Sequence, residues 1–214
     1  MCRILLVRAE VAFDITEQLL PFAKLSQNSR EYQGHGWGCS WLDEQTDEWQ
    51  HYHNISPVWQ DDLTQFRQTR LLLVHARSAF RDEGIVVENN MPFTDGDSVF
   101  IFNGELRGVK IKSDGRIGAE KIYNYIRRMC HKHEKLEALR KAVSIINHRT
   151  TYVRAMNIIM ADKDNQLVSS TYSEDPGYFQ MHRREVDGMV QICSEAFYEK
   201  DSWQPIDNNT TFAI

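Results

Sequence analysis

Runs of consecutive apolar residues, rather than alternating ones, mark the strands in the first half of the chain. The clearest runs are residues 4–7 within CRILLVRA and residues 71–74 within TRLLLVHARSAF. Such continuity is typical of strands that are covered on both faces. DSVFIFNGEL predicts a further strand over residues 99–102 that stops at Asn103 and Gly104, and GHGWGCSWL predicts a strand after closely spaced glycines.

Helical spacing of apolar residues occurs near the start and in the middle of the chain. DITEQLLPFAKLSQNS predicts a helix capped by Asp14 or Thr16, with an inner face of Leu19, Leu20, Phe22 and Leu25. Because proline fits only near the first turn of a helix, Pro21 leaves the boundary of this helix open. From residue 118 to about residue 146, apolar positions recur every three or four residues in two successive segments, which predicts two helices.

The last third of the chain returns to strand patterns. MNIIMADKDNQLVSST predicts a hairpin that turns over residues 162–165, and further strands are expected in GYFQMHRR, GMVQICSEAF and TTFAI. The sequence contains no internal repeat, low-complexity tract or linker. Strands at both ends flank a central helical block, which predicts a single α+β domain spanning residues 1–214.

Composition narrows the classes of function. The 214 residues include 25 basic and 30 acidic side chains, for a net charge of -5. Nucleic acid is therefore not an expected partner, because phosphate binding favours a basic surface. No run approaches the roughly 20 apolar residues of a membrane span, and charges at residues 3, 8, 10 and 14 interrupt any signal-peptide core.

Cysteine usage indicates a reducing compartment. The four cysteines are scattered without a CxxC pair, at Cys2, Cys39, Cys130 and Cys193. A disulfide scaffold or a zinc site is therefore not expected. Reduced thiols and a cytoplasmic location are the favoured interpretation.

The cysteine at position 2 has two interpretations. It can be a small apolar residue at the head of a strand. Alternatively, removal of Met1 would give Cys2 a free α-amine with an ordinary pKa of about 7.7–8.0, which can act as general base for its own thiol. The second interpretation requires a strand directly after the nucleophile, because a chain terminus is otherwise frayed. The apolar run at residues 4–7 meets that requirement.

Polar residues at the ends of two predicted strands also have two interpretations each. Asn103 and Gly104 would most often form a hairpin turn. The alternative is an oxyanion hole, in which the Asn103 amide and the Gly104 backbone N–H donate to one oxygen. Arg77 follows a buried strand, so its guanidinium would either pair with Glu105 or Glu120, or bind a substrate carboxylate through two hydrogen bonds.

Two pairs of histidines could suggest a metal site. His131 and His133 are predicted on a helix, where residues two apart do not share a face. His51 and His53 would share a face only if their segment is a strand. Solvated side chains are the favoured interpretation of both pairs, and no metal or cofactor is expected.

Taken in order, these segments resemble the class II glutamine amidotransferases, whose nucleophile is an N-terminal cysteine, and among them the short stand-alone amidotransferase and γ-glutamyl hydrolase types. MCRILL is similar to the nucleophile strand, GHGWGCSW to the glycine-tryptophan-glycine segment, and SPVWQD to a proline-tryptophan loop. LLLVHARSA resembles the strand with the carboxylate-binding arginine, and ENNMPF with VFIFNGEL resembles the segment that ends in the oxyanion Asn-Gly pair. GRIGAEKIYNYI is similar to the helix after the substrate loop, and VQICSEAF with WQPI to the closing strands.

The resemblance implies a four-layer αββα sandwich of the N-terminal nucleophile hydrolase type, with two antiparallel sheets. It implies that Cys2 is nucleophile and base, and that Asn103 and Gly104 form the oxyanion hole. Arg77 would bind the substrate α-carboxylate. The remaining substrate-binding positions implied by the resemblance are Trp37, Ser78 and Gly118.

Several positions depart from the family's pattern. The family usually has an aspartate for the substrate α-ammonium where this chain has Gly118, and losing a contact of this kind costs about 1.5–3 kcal/mol. Asp114 could substitute for it only in a rearranged loop. The other departures are Gln33, His35, Phe80, Met91 and Phe102.

We therefore expect an amidohydrolase that cleaves the side-chain amide of glutamine or of a γ-glutamyl compound through a thioester on Cys2, with altered substrate specificity. One alternative is a glutaminase subunit that supplies ammonia to a separate synthase, which would then be its partner. Another alternative is a catalytically silent relative that binds a ligand. The sequence leaves the leaving amine and the oligomeric state open.

Overall fold

The computed structural model describes residues 1–164 and 166–214, and those ranges contain twelve strands and four α-helices. The strands are β1 (Arg3–Asp14), β2 (Trp37–Leu42), β3 (Trp49–Asn54), β4 (Gln68–Ala76), β5 (Phe93–Thr94), β6 (Ser98–Val109), β7 (Thr150–Asp162), β8 (Gln166–Tyr172), β9 (His182–Val186), β10 (Met189–Cys193), β11 (Gln204–Pro205) and β12 (Thr210–Ala213). The helices are α1 (Ile15–Gln27), α2 (Gly118–Cys130), α3 (Lys135–His148) and the short α4 (Pro176–Phe179).

Two antiparallel sheets pack face to face. Sheet A has the strand order β11-β9-β10-β1-β4-β2-β3, and sheet B has the order β12-β8-β7-β6-β5. Helix α1 packs on the outer face of sheet A, and α2 and α3 pack on the outer face of sheet B. The resulting four layers form the αββα sandwich that the family resemblance predicted.

Burial on both faces explains why the central strands are continuously apolar. In β1, Leu5 and Val7 pack with α1, whereas Ile4 and Leu6 pack between the two sheets. Strand β4, which pairs with β1, alternates in the same way. Because side chains alternate between two covered faces, residues 4–7 and 71–74 are all apolar.

Helix α1 begins where the sequence predicts. The Asp14 side chain accepts a hydrogen bond from the Thr16 backbone nitrogen at 2.8 Å. Pro21 lies inside the helix, where it removes one backbone hydrogen bond. The prediction of Leu20 on the inner face was wrong, because that residue is 58% exposed while Phe22 is buried.

The main departure from the predicted elements is β6, which does not stop at Asn103 and Gly104. Its pairing with β7 continues through both residues, which lie opposite Asn157 and Met156. The prediction of a hairpin turn was therefore wrong. A partner strand extends the hydrogen-bonded ladder past the Asn-Gly pair, and such tertiary pairing overrides local turn propensity.

Smaller differences concern short segments. Strand β3 was not predicted, and GYFQMHRR divides into α4 and β9 rather than forming one strand. His131 and His133 lie in the connection between α2 and α3, not on a helix. The β7–β8 hairpin has the predicted antiparallel pairing, although Asn165, the last residue of its predicted turn, lies outside the described residues.

Within the described ranges, none of the helices combines the length and the apolar character needed to cross a membrane.

Candidate functional site

Contacts with the closing strand hold the start of β1 in place. Arg3 is 1% exposed and forms an ion pair with Glu195. The Ile4 backbone nitrogen donates to the Ser194 hydroxyl, and the Ser194 nitrogen donates to the Ile4 carbonyl oxygen, both at 3.1 Å. Cys2 therefore precedes an anchored strand, which is the condition that an N-terminal nucleophile requires.

The Cys2 thiol lies against the residue that follows Arg77. The Ser78 backbone N–H donates to Cys2 Sγ at 3.4 Å, and Sγ lies 3.6 Å from the Ser78 carbonyl oxygen. Strands β1 and β4 pair Arg3 with Ala76. Cys2 precedes Arg3 and Arg77 follows Ala76. The two residues therefore lie next to each other at the same end of the central strands of sheet A.

Arg77 is buried beneath the loop that follows β4. Its guanidinium is 5% exposed, donates to the Gly84 carbonyl oxygen at 2.8 Å and contacts Asn90 Oδ1 at 3.5 Å. Burial lowers the pKa of this guanidinium. No carboxylate in the described ranges pairs with this buried positive charge.

The carboxylates proposed as structural partners of Arg77 are engaged elsewhere. Glu105 pairs with Arg154 at 3.2 Å, and Glu120 pairs with Arg116 at 2.6 Å. The interpretation of Arg77 as one half of a salt bridge with either glutamate was therefore wrong.

The glycine-rich segment before β2 supports the backbone of Arg77. The Arg77 nitrogen donates to the Gly36 carbonyl at 2.9 Å, and the His35 nitrogen donates to the Arg77 carbonyl at 3.1 Å. Gly36 has φ +101°, and a Cβ there would come within 2.2 Å of the Asn90 side-chain nitrogen. Glycine is required because Asn90 must approach this closely to contact Arg77.

His35 also holds the loop that follows β4. Its Nδ1 accepts a hydrogen bond from the Ala79 backbone nitrogen at 2.9 Å. Burial lowers the pKa of His35, which favours the neutral ring that this bond requires.

Asn103 lies in the middle of β6 with an unsatisfied side chain. It is fully buried, and neither polar atom of its carboxamide has a hydrogen-bond partner within the described ranges. Leaving such a group unpaired costs about 1–3 kcal/mol, and exceptions of this kind call for an explanation such as catalysis. At the next residue, a Cβ on Gly104 would lie 2.4 Å from the Ala155 carbonyl oxygen.

Met1 connects the Cys2 end of sheet A to strand β7 and helix α4. Its side chain is 9% exposed and packs against Ala155 and Phe179. The Ala155 carbonyl is also the atom that a Cβ on Gly104 would meet. Met1, which is bonded to Cys2, therefore packs on a residue of β7 whose carbonyl oxygen lies close to Gly104.

Both ends of the Met1 backbone are held. Its α-ammonium pairs with Glu31, and its carbonyl oxygen accepts a hydrogen bond from Gln33 Nε2. Glu31 also pairs with Arg154 at 3.2 Å. Although burial opposes it, these two cations hold the pKa of Glu31 below its usual range. Gln33 is fully buried, and its Oε1 has no partner among the residues described.

A cavity of about 410 Å³ lies beside Asn90. Arg116 and Glu120 also line it, and Gly118 lies between them as the first residue of α2. A Cβ on Gly118 would meet nothing within 4 Å. The position therefore has room for the aspartate that the family resemblance leads us to expect there.

Trp37 lies away from this group of residues. Its side chain is fully buried in the layer between α1 and sheet A, packs against Tyr52 and Phe66, and donates to Asp61 at 2.8 Å. Residues 37, 39 and 41 of β2 face α1, whereas Cys2 and Arg77 belong to the opposite face. We therefore leave Trp37 out of the proposed substrate site and assign it a packing role.

Two residues that contact the site were not singled out from the sequence. Asn90 belongs to ENNMPF, where paired asparagines before a proline are a loop signal, but nothing local indicates that one of them reaches Arg77. No sequence pattern points to Glu31, because its partners Met1 and Arg154 come from distant parts of the chain.

The histidine pairs do not form a metal site. His51 and His53 share a face because β3 is a strand, but His51 Nδ1 lies 2.7 Å from the Ser40 hydroxyl and His53 Nε2 lies 3.0 Å from the Pro92 carbonyl. Residues 1–164 and 166–214 contain no group of three or more histidine, cysteine, aspartate or glutamate side chains placed to hold a metal ion.

Comparison with solved structures defines the fold class. The chain has the fold of class II glutamine amidotransferase domains, which solved structures from several bacteria share over essentially its whole length. Neither a protein-family model nor a curated protein sequence matches it.

Three of these structures illustrate the likeness. A glutamine aminotransferase class-II domain protein from Silicibacter pomeroyi has a TM-score of 0.69 and 14% identity, covering 100% of this chain and 94% of its own. Glutamine phosphoribosylpyrophosphate amidotransferase from Bacillus subtilis has a TM-score of 0.68 and 12% identity, and the match covers 100% of this chain but 47% of that longer chain. A predicted glutamine amidotransferase from Pseudomonas aeruginosa has a TM-score of 0.61 and 13% identity, with 99% and 96% coverage.

Proposed function

We propose that this protein is a glutamine amidotransferase-type amidohydrolase whose nucleophile is Cys2, exposed as the N-terminal residue by removal of Met1. The observation that carries the proposal is the contact of Cys2 Sγ with the backbone of Ser78, the residue that follows the buried Arg77. A thiol and a cation that lacks a carboxylate partner suit a substrate with an amide at one end and a carboxylate at the other.

In the proposed reaction, the Cys2 α-amine takes the thiol proton, and the thiolate attacks the amide carbonyl carbon. The oxyanion accepts hydrogen bonds from Asn103 Nδ2 and the Gly104 backbone N–H. The C–N bond then breaks, the α-ammonium returns its proton to the leaving nitrogen, and ammonia or an amine departs from the thioester. Water attacks the thioester and gives a proton to the α-amine, which passes it to the departing sulfur. A free carboxylic acid and the thiol result.

The unpaired Asn103 carboxamide supports the oxyanion role. A buried amide that only stabilises the fold would have a hydrogen-bond partner. Asn103 has none within the described ranges, so its donors are free for an oxygen that is present only during the reaction. Arg77 would bind the carboxylate of glutamine or of a γ-glutamyl amide.

The test is intact-protein mass spectrometry before and after incubation with a glutamine-derived diazoketone. We expect a chain that lacks Met1 and gains one adduct, and a Cys2→Ala variant that gains none. Hydrolysis of glutamine and of γ-glutamyl amides is then measured with both proteins. A mature chain that neither forms the adduct nor hydrolyses any of these amides would overturn the proposal.

A second candidate function is the supply of ammonia to a separate synthase. The loop beside Arg77 favours it, because this loop exposes four large apolar side chains to solvent: Phe80, Ile85, Val86 and Val87. Adjacent exposed apolar residues are typical of a surface that a partner covers. In that case glutamine hydrolysis by the isolated chain would be slow and would rise when the synthase is added.

A further inference from the structure

The place that Met1 occupies has the properties of a ligand site. Met1 is a primary ammonium on a short aliphatic chain, and the protein surrounds each part of it. The ammonium pairs with Glu31, the carbonyl oxygen accepts from Gln33, and the side chain packs on Ala155 and Phe179. The fold therefore contains a compartment for an aliphatic ammonium one residue away from the nucleophile.

The ion-pair network around this compartment is balanced only when a cation is present. Besides the Met1 ammonium it contains three carboxylates and two guanidinium groups, from Glu31, Glu105, Glu174, Arg107 and Arg154. Removal of Met1 leaves one carboxylate in excess, because Glu31 loses one of its two cations and keeps Arg154. A partly buried carboxylate that has lost one of two cations favours binding of another positive group.

The new α-amine of Cys2 has a different partner available. A base must be uncharged, and a carboxylate beside it would favour the protonated form instead. Gln33 is neutral and fully buried, loses the Met1 carbonyl when Met1 is removed, and has an unpartnered Oε1 in the part of the chain that the structure describes. Gln33 can therefore hydrogen-bond the uncharged amine, which leaves Glu31 for another cation.

We propose that the compartment vacated by Met1 binds the leaving side of the substrate, and that the preferred leaving group is an aliphatic amine with a second, charged amino group. This inference rests on the proposed function. Arg77 binds the carboxylate on the acyl side, and the compartment is bounded by Ala155, whose carbonyl oxygen a Cβ on Gly104 would approach to 2.4 Å. Glu31 then binds the distal ammonium, and the apolar chain lies on Ala155 and Phe179.

The kinetic test compares two γ-glutamyl amides of equal length, one of 1,4-diaminobutane and one of 1-aminopentane, in which a methyl group replaces the distal ammonium. We expect kcat/KM to be at least about 10-fold higher for the diamine compound, the usual effect of a charge-assisted hydrogen bond. Glu31→Gln should remove this preference. Glu174→Gln is the matched control, because Glu174 contacts Arg154 but not Met1, and it should retain the preference.

A binding test separates this inference from the proposed function. Calorimetry would measure butylammonium chloride binding to Cys2→Ala protein without Met1, to the same protein made with Met1 retained, and to its Glu31→Gln form. We expect binding by the first alone. Binding without hydrolysis of either amide would support the compartment and overturn the proposed function. Hydrolysis of both amides at equal kcat/KM, unchanged by Glu31→Gln, would overturn the compartment and leave the proposed function standing.

Discussion

Asn103 and Asn157 lie opposite each other on β6 and β7, but only the side chain of Asn157 forms a hydrogen bond within the described ranges. Asn157 Nδ2 donates to the Phe179 carbonyl at 2.7 Å, whereas neither polar atom of Asn103 has a partner in the described ranges. Both side chains are fully buried. Two neighbouring asparagines with equal burial therefore allow a structural role and a catalytic role to be distinguished by experiment.

Asn103→Leu should abolish most activity without destabilising the fold. Loss of one oxyanion donor typically lowers kcat by about 100- to 1000-fold. Replacing an unsatisfied amide by an apolar group of similar size removes a desolvation penalty, so the free energy of unfolding should stay equal or rise. Asn157→Leu is the control, and it should lower the free energy of unfolding by about 1–3 kcal/mol because the Phe179 carbonyl loses a donor. Urea denaturation and steady-state kinetics measure the two effects; a destabilised Asn103→Leu protein would contradict the catalytic assignment.

Gly104→Ala should destabilise the protein and reduce its activity. The added Cβ would lie 2.4 Å from the Ala155 carbonyl and from the Phe102 ring, so strands β6 and β7 would have to move apart. Overpacking of this kind costs about 1–3 kcal/mol. At Gly118 a Cβ has open space around it, so Gly118→Ala should leave stability unchanged or raise it by up to about 1 kcal/mol. Equal thermal unfolding midpoints for the two variants would contradict the close approach at Gly104.

Gly118→Asp should increase the affinity for free glutamine. The position is unobstructed and begins α2 beside the cavity that Asn90 lines. A carboxylate there would add one charge-assisted contact with the substrate α-ammonium, worth about 1.5–3 kcal/mol, and KM for glutamine should fall by roughly 10- to 150-fold. Gly118→Asn, which has the same shape without the charge, is the control. An unchanged KM in the aspartate variant would mean that the ammonium lies elsewhere.

Stability should decrease on the acid side because of His75. This residue is fully buried on the inner face of β4, and burial, with help from the Arg77 charge, lowers its pKa to about 3. Below the ordinary pKa of about 6.5, the unfolded chain takes up a proton that the folded chain excludes, so the free energy of unfolding falls as pH falls. His75 should account for a fall of about 2 kcal/mol in the free energy of unfolding between pH 7.5 and pH 5.

Urea denaturation at a series of pH values measures the contribution of His75 to the free energy of unfolding. In the His75→Leu variant, the free energy of unfolding should change less between pH 6.5 and pH 5 than in the wild type. His131→Gln, a change at an exposed histidine, should leave this pH dependence unchanged. The same slope in the wild-type and His75→Leu proteins would show that other groups account for the acid sensitivity.

Sequence patterns predicted the elements whose burial is regular and failed where pairing is decided at a distance. The runs around Leu5 and Val74 identified strands because both of their faces are apolar. The local pattern favoured a turn at the Asn-Gly pair of residues 103 and 104 over the alternative of an oxyanion hole, because no local feature reveals that β7 continues alongside. The family resemblance implied Trp37 in the substrate site, but strand alternation turns its ring toward α1, away from the face of Cys2 and Arg77.

By itself, the sequence determined most of the strands and the three longer helices, the strand directly after Cys2, and the identity of the candidate reactive groups Cys2, Arg77 and Asn103. Those follow from the order of apolar and polar side chains, which is a local property. Only the tertiary structure decided that the Asn103 carboxamide is buried without a partner, that Arg77 has Asn90 beside it rather than a glutamate, and that Glu31 binds the ammonium of Met1. Such relationships depend on which strands and loops meet, and the residues involved are too far apart in the chain for any local pattern to encode.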